Sequence, residues 1–135
     1  ANSLTMAQIT GQDGTANTIM VGEVRAGPKS SDVRGTWALS QLGASFLGGC
    51  PIGDCFGPND TGCCSDDVSG CTDMPTQRMG CWSGGNGQGN IRGNHTAGAN
   101  CVFVDGSVHL LNNSINTTTY FWLLSRDDGL TPSGY

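Results

Sequence analysis

Cys101-Val102-Phe103-Val104-Asp105-Gly106-Ser107-Val108-His109-Leu110-Leu111 is the stretch whose reading decides the fold. Two runs of β-forming residues, Cys101 to Val104 and Ser107 to Leu111, flank Asp105-Gly106, a dipeptide that marks a two-residue hairpin turn with positive φ at both positions. Counting outward from that turn pairs Val104 with Ser107, Phe103 with Val108, Val102 with His109 and Cys101 with Leu110. Cys101, Phe103, Val108 and Leu110 then share one apolar face, the expected core face, and His109 lies on the other.

Working outward, Asn116 is placed to cap a short helix from Thr117 to about Ser125, with Tyr120, Phe121, Leu123 and Leu124 as its apolar side chains. Asp127-Asp128-Gly129 ends it, Gly129 supplying a left-handed cap. Towards the N-terminus, the apolar run from Thr18 to Ala26 reads as a strand buried on both faces, and Gly35 to Leu42 as a second strand. Residues 48–92 form a Cys- and Gly-rich loop zone far longer than the ~12–15 residues usual for an unstructured connection. The expected fold is therefore a single α+β domain over residues 1–135, mainly antiparallel β, with a long disulfide-stapled loop region and a short C-terminal helix.

Composition agrees. Hydrophobic residues make up 36% of the 135, charged residues 13%, and 22 are glycine, which suits a loop-heavy β domain better than a helical bundle. A net charge of −5 with only six Lys plus Arg excludes nucleic acid as a partner, because displacing counterions needs clustered positive charge.

Seven cysteines occupy positions 50, 55, 63, 64, 71, 81 and 101. Their crowding between 50 and 81 is what a chain with a thin apolar supply uses to hold a long loop, and it implies export to an oxidising compartment. No pair of Cys-x-x-Cys knuckles is present, which argues against zinc. Cys50, Cys55, Cys63, Cys64, Cys71 and Cys81 are the disulfide candidates, their connectivity open. Cys101, on the core face of the hairpin, is the foremost choice for the unpaired thiol, with Cys50 and Cys64 also eligible.

His95, followed by nine residues and then Asp105-Gly106, in the context Ala99-Asn100-x-x-Phe103-x-Asp105-Gly106-Ser107-Val108, resembles the His-x9-Asp-Gly signature of planctomycete-type pseudopilins of the prepilin-type family. A second stretch, Ile9-Thr10 and Asp13-Gly14-Thr15-Ala16-Asn17-Thr18-Ile19-Met20-Val21-Gly22-Glu23, is similar to another run of that family, with Gly11-Gln12 inserted. Met79-Gly80-Cys81 lies between them, and the likeness spans residues 1–128. It implies a pseudopilin-like globular head. The chain opens with Ala1-Asn2-Ser3-Leu4-Thr5 and contains no run of the ~18 apolar residues that a membrane span needs, so the resemblance is to the head alone, without the N-terminal pilin helix.

Several residues invite a chemical reading. Asp66, Asp67 and Asp73, with Asp54 and Asp60, offer hard oxygens on a cross-linked loop that suit calcium, the one cofactor expected. Asn59, Asn94, Asn112 and Asn116 each open a glycosylation triplet. His95 and Asp105 do not form a catalytic pair, since an extended strand between them separates the two by about 20 Å. No Gly-x-Ser-x-Gly elbow appears, and the glycine-rich run at 84–90 lacks the Lys-Ser/Thr ending of a phosphate cradle. An enzyme is not expected.

The functional expectation is an extracellular or cell-surface structural subunit whose partners are copies of itself, assembling into a fibre or pilus-like filament, with residues 1–10 docking on the next subunit. The alternative is a secreted glycan- or calcium-binding head of a secretion or uptake pseudopilus, with Trp82 stacking on surface glycans, whereas Trp37 and Trp122 are expected to be buried.

Overall fold

The computed structural model describes residues 3–49, 54–85 and 87–135. The fold is α+β and mainly β. A short helix α1 (Met6–Thr10) precedes strand β1 (Ile19–Gly22); strands β2 (Gly98–Phe103) and β3 (Val108–Asn112) form the hairpin; helix α2 (Thr117–Leu124) follows. The sheet is antiparallel throughout, ordered β1-β2-β3, with β2 central. Among the described residues, no helix is long and apolar enough to cross a membrane.

Both helices start where local chemistry dictates. Thr5 and Gln8 form a reciprocal capping box at α1, and Ile9 is its buried side chain. The Asn116 side chain accepts from the Thr118 and Thr119 N–H groups at α2, as the sequence predicts. At the other end the cap is Ser125, in extended conformation, and not Gly129. Gly129 does have positive φ, but it lies in a later turn where its N–H and that of Asp128 donate to the Asp13 carboxylate.

The hairpin forms where expected but in a different register. Val102 pairs with Val108, Cys101 with His109, Asn100 with Leu110 and Ala99 with Leu111. The Phe103 N–H donates to Ser107 O at 2.9 Å and the Gly106 N–H to Phe103 O at 3.0 Å, leaving three residues in the loop rather than two. This is the turn-plus-bulge connection in which one residue alone needs positive φ, and Gly106 supplies it at +87°. The one-residue slip turns β3 over. Leu111 is fully buried, whereas Val108 is 67% and Leu110 47% exposed. His109 joins the inner side, its ring packed at 4.7 Å from Phe103 and 5.9 Å from Tyr135.

Two further expectations change for physical reasons. β1 covers only Ile19–Gly22 and is an edge strand, so Met20 and Val21 face solvent instead of lying buried on both sides. Gly35 to Leu42 is not a strand; it runs through successive turns, with Thr36 N–H donating to Val33 O and Leu39 N–H to Thr36 O. Trp37, on one of those turns, is 87% exposed.

The main core lies on one face of the sheet, where Ala99, Cys101, Phe103 and Leu111 meet Cys55, Ile91, Tyr120 and Leu123. A smaller cluster in the loop zone contains Val68 and the Cys71–Cys81 disulfide, with Val33 packed against it. Closing a loop of sequence separation 10 removes about 2–3 kcal/mol of unfolded-chain freedom. The loop zone thus has its own staple.

Candidate functional site

The two stretches that carry the family likeness meet at Glu23. Its N–H donates to Asn100 O at 3.0 Å, and its carbonyl accepts from the Arg92 N–H at 2.8 Å. Glu23 Oε2 accepts from the Asn100 N–H at 2.7 Å, and Oε1 accepts from Asn100 Nδ2 at 2.9 Å. His95 Nε2 lies 3.1 Å from Glu23 Oε1 and 2.8 Å from Asn100 Nδ2. That nitrogen donates to Glu23 when it carries the proton and accepts from Asn100 when it does not, so the joint is bonded in either tautomer. Burial works to raise the Glu23 pKa, but the Asn100 hydrogen bonds and His95 outweigh it and hold the carboxyl below its ordinary value. Gly93 is required beside it: a Cβ there would stand 2.3 Å from Glu23 Oε2.

Asp105 serves the far end of the hairpin. It accepts from Ser107 N–H at 2.8 Å and Ser107 Oγ at 2.7 Å, which lowers its pKa and closes the turn. His95, Asp105 and Gly106 are thus not brought together; His95 ties the strand's start to β1, and Asp105-Gly106 shapes its end. Strand spacing already separates His95 from Asp105, as the structure bears out; the contact of His95 with Glu23 was not foreseen, although both residues lie in the stretches that carry the likeness.

Below the loop zone sits a buried ionic cluster. Asp32 grips Arg34 with both oxygens, at 3.0 and 2.8 Å. Asp66 bridges Arg34 at 3.1 Å and Arg92 at 3.0 Å, and its Oδ1 also accepts from the Asn90 N–H. All four charged side chains are buried. Burial opposes charge on Asp32 and Arg34, but their pairing prevails, lowering the carboxyl's pKa and raising the guanidinium's. Arg92 additionally donates to the carbonyls of Asp60, Arg78 and Gly80. Tyr120 Oη donates to Asn90 Oδ1, linking this cluster to the main core.

Four of the five acidic residues have partners for their carboxylates within the fold. Asp66 is the counterion of two arginines. Asp73 accepts from the Cys81 N–H, Asp60 from the Phe56 and Gly62 N–H groups, and Asp54 from Gln88 Nε2. Burial, with Asp54 and Asp66 nearby, raises the Asp67 pKa. Among the described residues, no three His, Cys, Asp or Glu side chains are grouped to hold a metal ion.

Of the disulfide candidates, Cys71 and Cys81 are bonded to each other. Cys55 and Cys101 are buried and unbonded, Cys63 is exposed and Cys64 half-buried; Cys50 lies outside the described residues. Of the glycosylation candidates, Asn94, Asn112 and Asn116 are exposed, and Asn116 is occupied as the α2 cap. Asn59 is only 3% exposed, and its Nδ2 donates to Gly98 O and Asn113 Oδ1, so the folded chain does not present that nitrogen.

A cleft of about 540 Å³ runs beside β1, lined among others by Met20, Val21, Trp37, Phe46, Leu47 and Ile91. Met20, Val21, Trp37 and Phe46 are all exposed at more than half of their surface. Trp82 is exposed too, its indole lying over Gly84. What this surface offers is apolar contact and a strand edge; the joint at Glu23 offers rigidity.

Comparison with curated proteins and with solved structures gives no match. The family model described as "Protein of unknown function (DUF1559)" matches residues 2–118. With most of the chain inside that match, both stretches of likeness included, the protein belongs to this family of planctomycete-type pilin-like proteins.

Proposed function

We propose that the chain is an extracellular structural subunit that self-associates through its globular surface into a fibre or pilus-like filament. The observation that carries this reading is the apolar cleft beside the free edge of β1, with Trp37, Met20, Val21 and Phe46 around it. An exposed apolar patch at a strand edge is a surface that favours a partner. Leu4 and Met6, both exposed near the N-terminus, supply side chains of the matching kind. Seating them in the cleft of the next copy makes a head-to-tail contact, which propagates when its rotation does not close. In this reading His95 and Asp105-Gly106 are the signature positions of a pseudopilin head, and their role is to fix the sheet that presents the edge.

A second reading, a glycan-binding head, is favoured by Trp82, an exposed indole lying against the glycine-rich run. Sugars stack on such faces. Quenching of Trp82 fluorescence by oligosaccharide, lost in Trp82→Phe, supports it.

Sedimentation velocity and electron microscopy of the purified chain at rising concentration test the filament. Ordered polymers are expected, suppressed by Trp37→Ser with Phe46→Ser; a calcium-chelator arm reads any dependence on the acidic loop. A monomer under every condition overturns the reading.

A further inference from the structure

Cys63 and Cys64 differ from every other described cysteine in position and surroundings. Cys55 and Cys101 are enclosed in the main core, where burial pushes their thiols up to about 12 and about 11, which keeps them protonated and unreactive. Cys71 and Cys81 are already bonded, both buried. Cys63 and Cys64 instead occupy the two central positions of a surface turn closed by the Ser65 N–H donating to Gly62 O at 3.2 Å.

That turn is held from both sides. Gly62 N–H donates to Asp60 Oδ1 at 2.9 Å, and Cys64 O accepts from Gln88 Nε2, which also donates to Asp54. Within it the two Sγ atoms lie 2.9 Å apart. This is inside the roughly 4 Å at which side-chain atoms ordinarily touch, and within an ångström of the S–S bond length of about 2.05 Å.

We propose that Cys63 and Cys64 form a vicinal disulfide, making this turn a surface redox site that small-molecule disulfides oxidise and thiols reduce. Cys63, the more exposed, loses its proton and its sulfur attacks one sulfur of a disulfide RSSR. A Cys63–S–S–R bond forms, and RS⁻ leaves to take up a proton. Cys64 then loses its proton and its sulfur attacks the Cys63 sulfur, expelling the second RS⁻. Two protein thiols are oxidised by two electrons, and RSSR is reduced to two RSH. In the reduced pair the hydrogen bond to Cys63 is the main cause pushing the Cys64 thiol up to about 12, with Asp54 adding to it, which disfavours Cys64 as the first of the two to attack. The site is independent of polymer formation.

The test uses the full chain, reduced under mild conditions that leave Cys71–Cys81 intact, then exposed to oxidised glutathione, labelled natively with N-ethylmaleimide and mapped by peptide mass. Before oxidation both Cys63 and Cys64 take the label. After it they take none, and their peptide is about 2 Da lighter through loss of two hydrogens. Graded dithiothreitol restores their labelling before it opens Cys71–Cys81. Cys64→Ser, which cannot close the ring, accumulates the glutathione adduct on Cys63. Continued labelling of both cysteines, a link from either to another cysteine, or no adduct in Cys64→Ser overturns the proposal.

Discussion

His95 Nε2 stands 3.1 Å from Glu23 Oε1 across 72 residues of sequence, and the same carboxylate receives the Asn100 N–H at 2.7 Å. The two contacts differ in exposure and so in weight. The imidazole is half exposed, with water as a ready substitute, whereas the Asn100 N–H is part of the sheet's packed end.

Replacing Glu23 with Ala is therefore expected to cost about 1–3 kcal/mol, the loss of a charged acceptor for a partly buried donor. Replacing His95 with Ala should cost under about 1 kcal/mol, the range of an exposed ion pair. Urea unfolding of both variants checks the order, and an equal or larger loss at His95 would contradict it.

The depressed Glu23 pKa gives a pH dependence with a definite sign. Its ordinary value is 4.5 and its folded value is lower, so its contribution is complete above 4.5 and is lost as pH falls through the folded value. The stability difference between the natural chain and Glu23→Gln should keep its full size down to about pH 5 and shrink as pH falls below 4.5 through the folded value. Asp32, also depressed, adds acid sensitivity to both proteins and cancels in the difference.

What was legible in the sequence follows how local the cause is. The Asn116 cap and the Asp-Gly hairpin are decided by a few neighbouring residues, and both appear where the sequence puts them. The hairpin register was not legible, because Asp-Gly serves a two-residue loop and a three-residue loop equally well; the choice rests on Phe103 N–H reaching Ser107 O. The burial of Thr18 to Ala26 was misread because apolar content does not reveal that a strand sits at a sheet edge. Arg34 and Arg92 were missed because their shared counterion, Asp66, is 32 and 26 residues away, and no periodicity encodes such a contact. Glu23 was within reach: two separate stretches of likeness had to meet somewhere, and Glu23 closes the first of them.

Asp66 carries the heaviest electrostatic load. It faces two buried guanidinium groups and the Asn90 N–H, itself part of the link to Tyr120. Asp66→Asn keeps the shape and removes the charge, leaving Arg92 without a carboxylate partner and Arg34 with only Asp32. Loss of one partner from a buried ion cluster costs about 3–5 kcal/mol. A denaturation midpoint within experimental error of the natural chain would show that the cluster is not what holds the loop zone to the sheet.

The hairpin register makes the sharpest prediction, since the two registers assign opposite fates to neighbouring residues. In the two-residue turn Val108 and Leu110 lie in the core; in the structure Leu111 does, and Val108 and Leu110 form part of an outer face with Val21 and Val102. Leu111→Ala should therefore cost about 2–5 kcal/mol, while Val108→Thr should stay within about 0.5 kcal/mol. Gly106→Ala should cost about 1–2 kcal/mol, because Gly106 sits at φ +87° with open space around it, so backbone strain alone sets the cost. Asp105→Ala should cost less, since Asp105 has ordinary negative φ and loses only its bonds to Ser107. Were the turn the two-residue kind, Val108→Thr would be the damaging change in the strand and Leu111→Ala the mild one. The two strand substitutions, Leu111→Ala and Val108→Thr, thus fix which side of β3 faces inward.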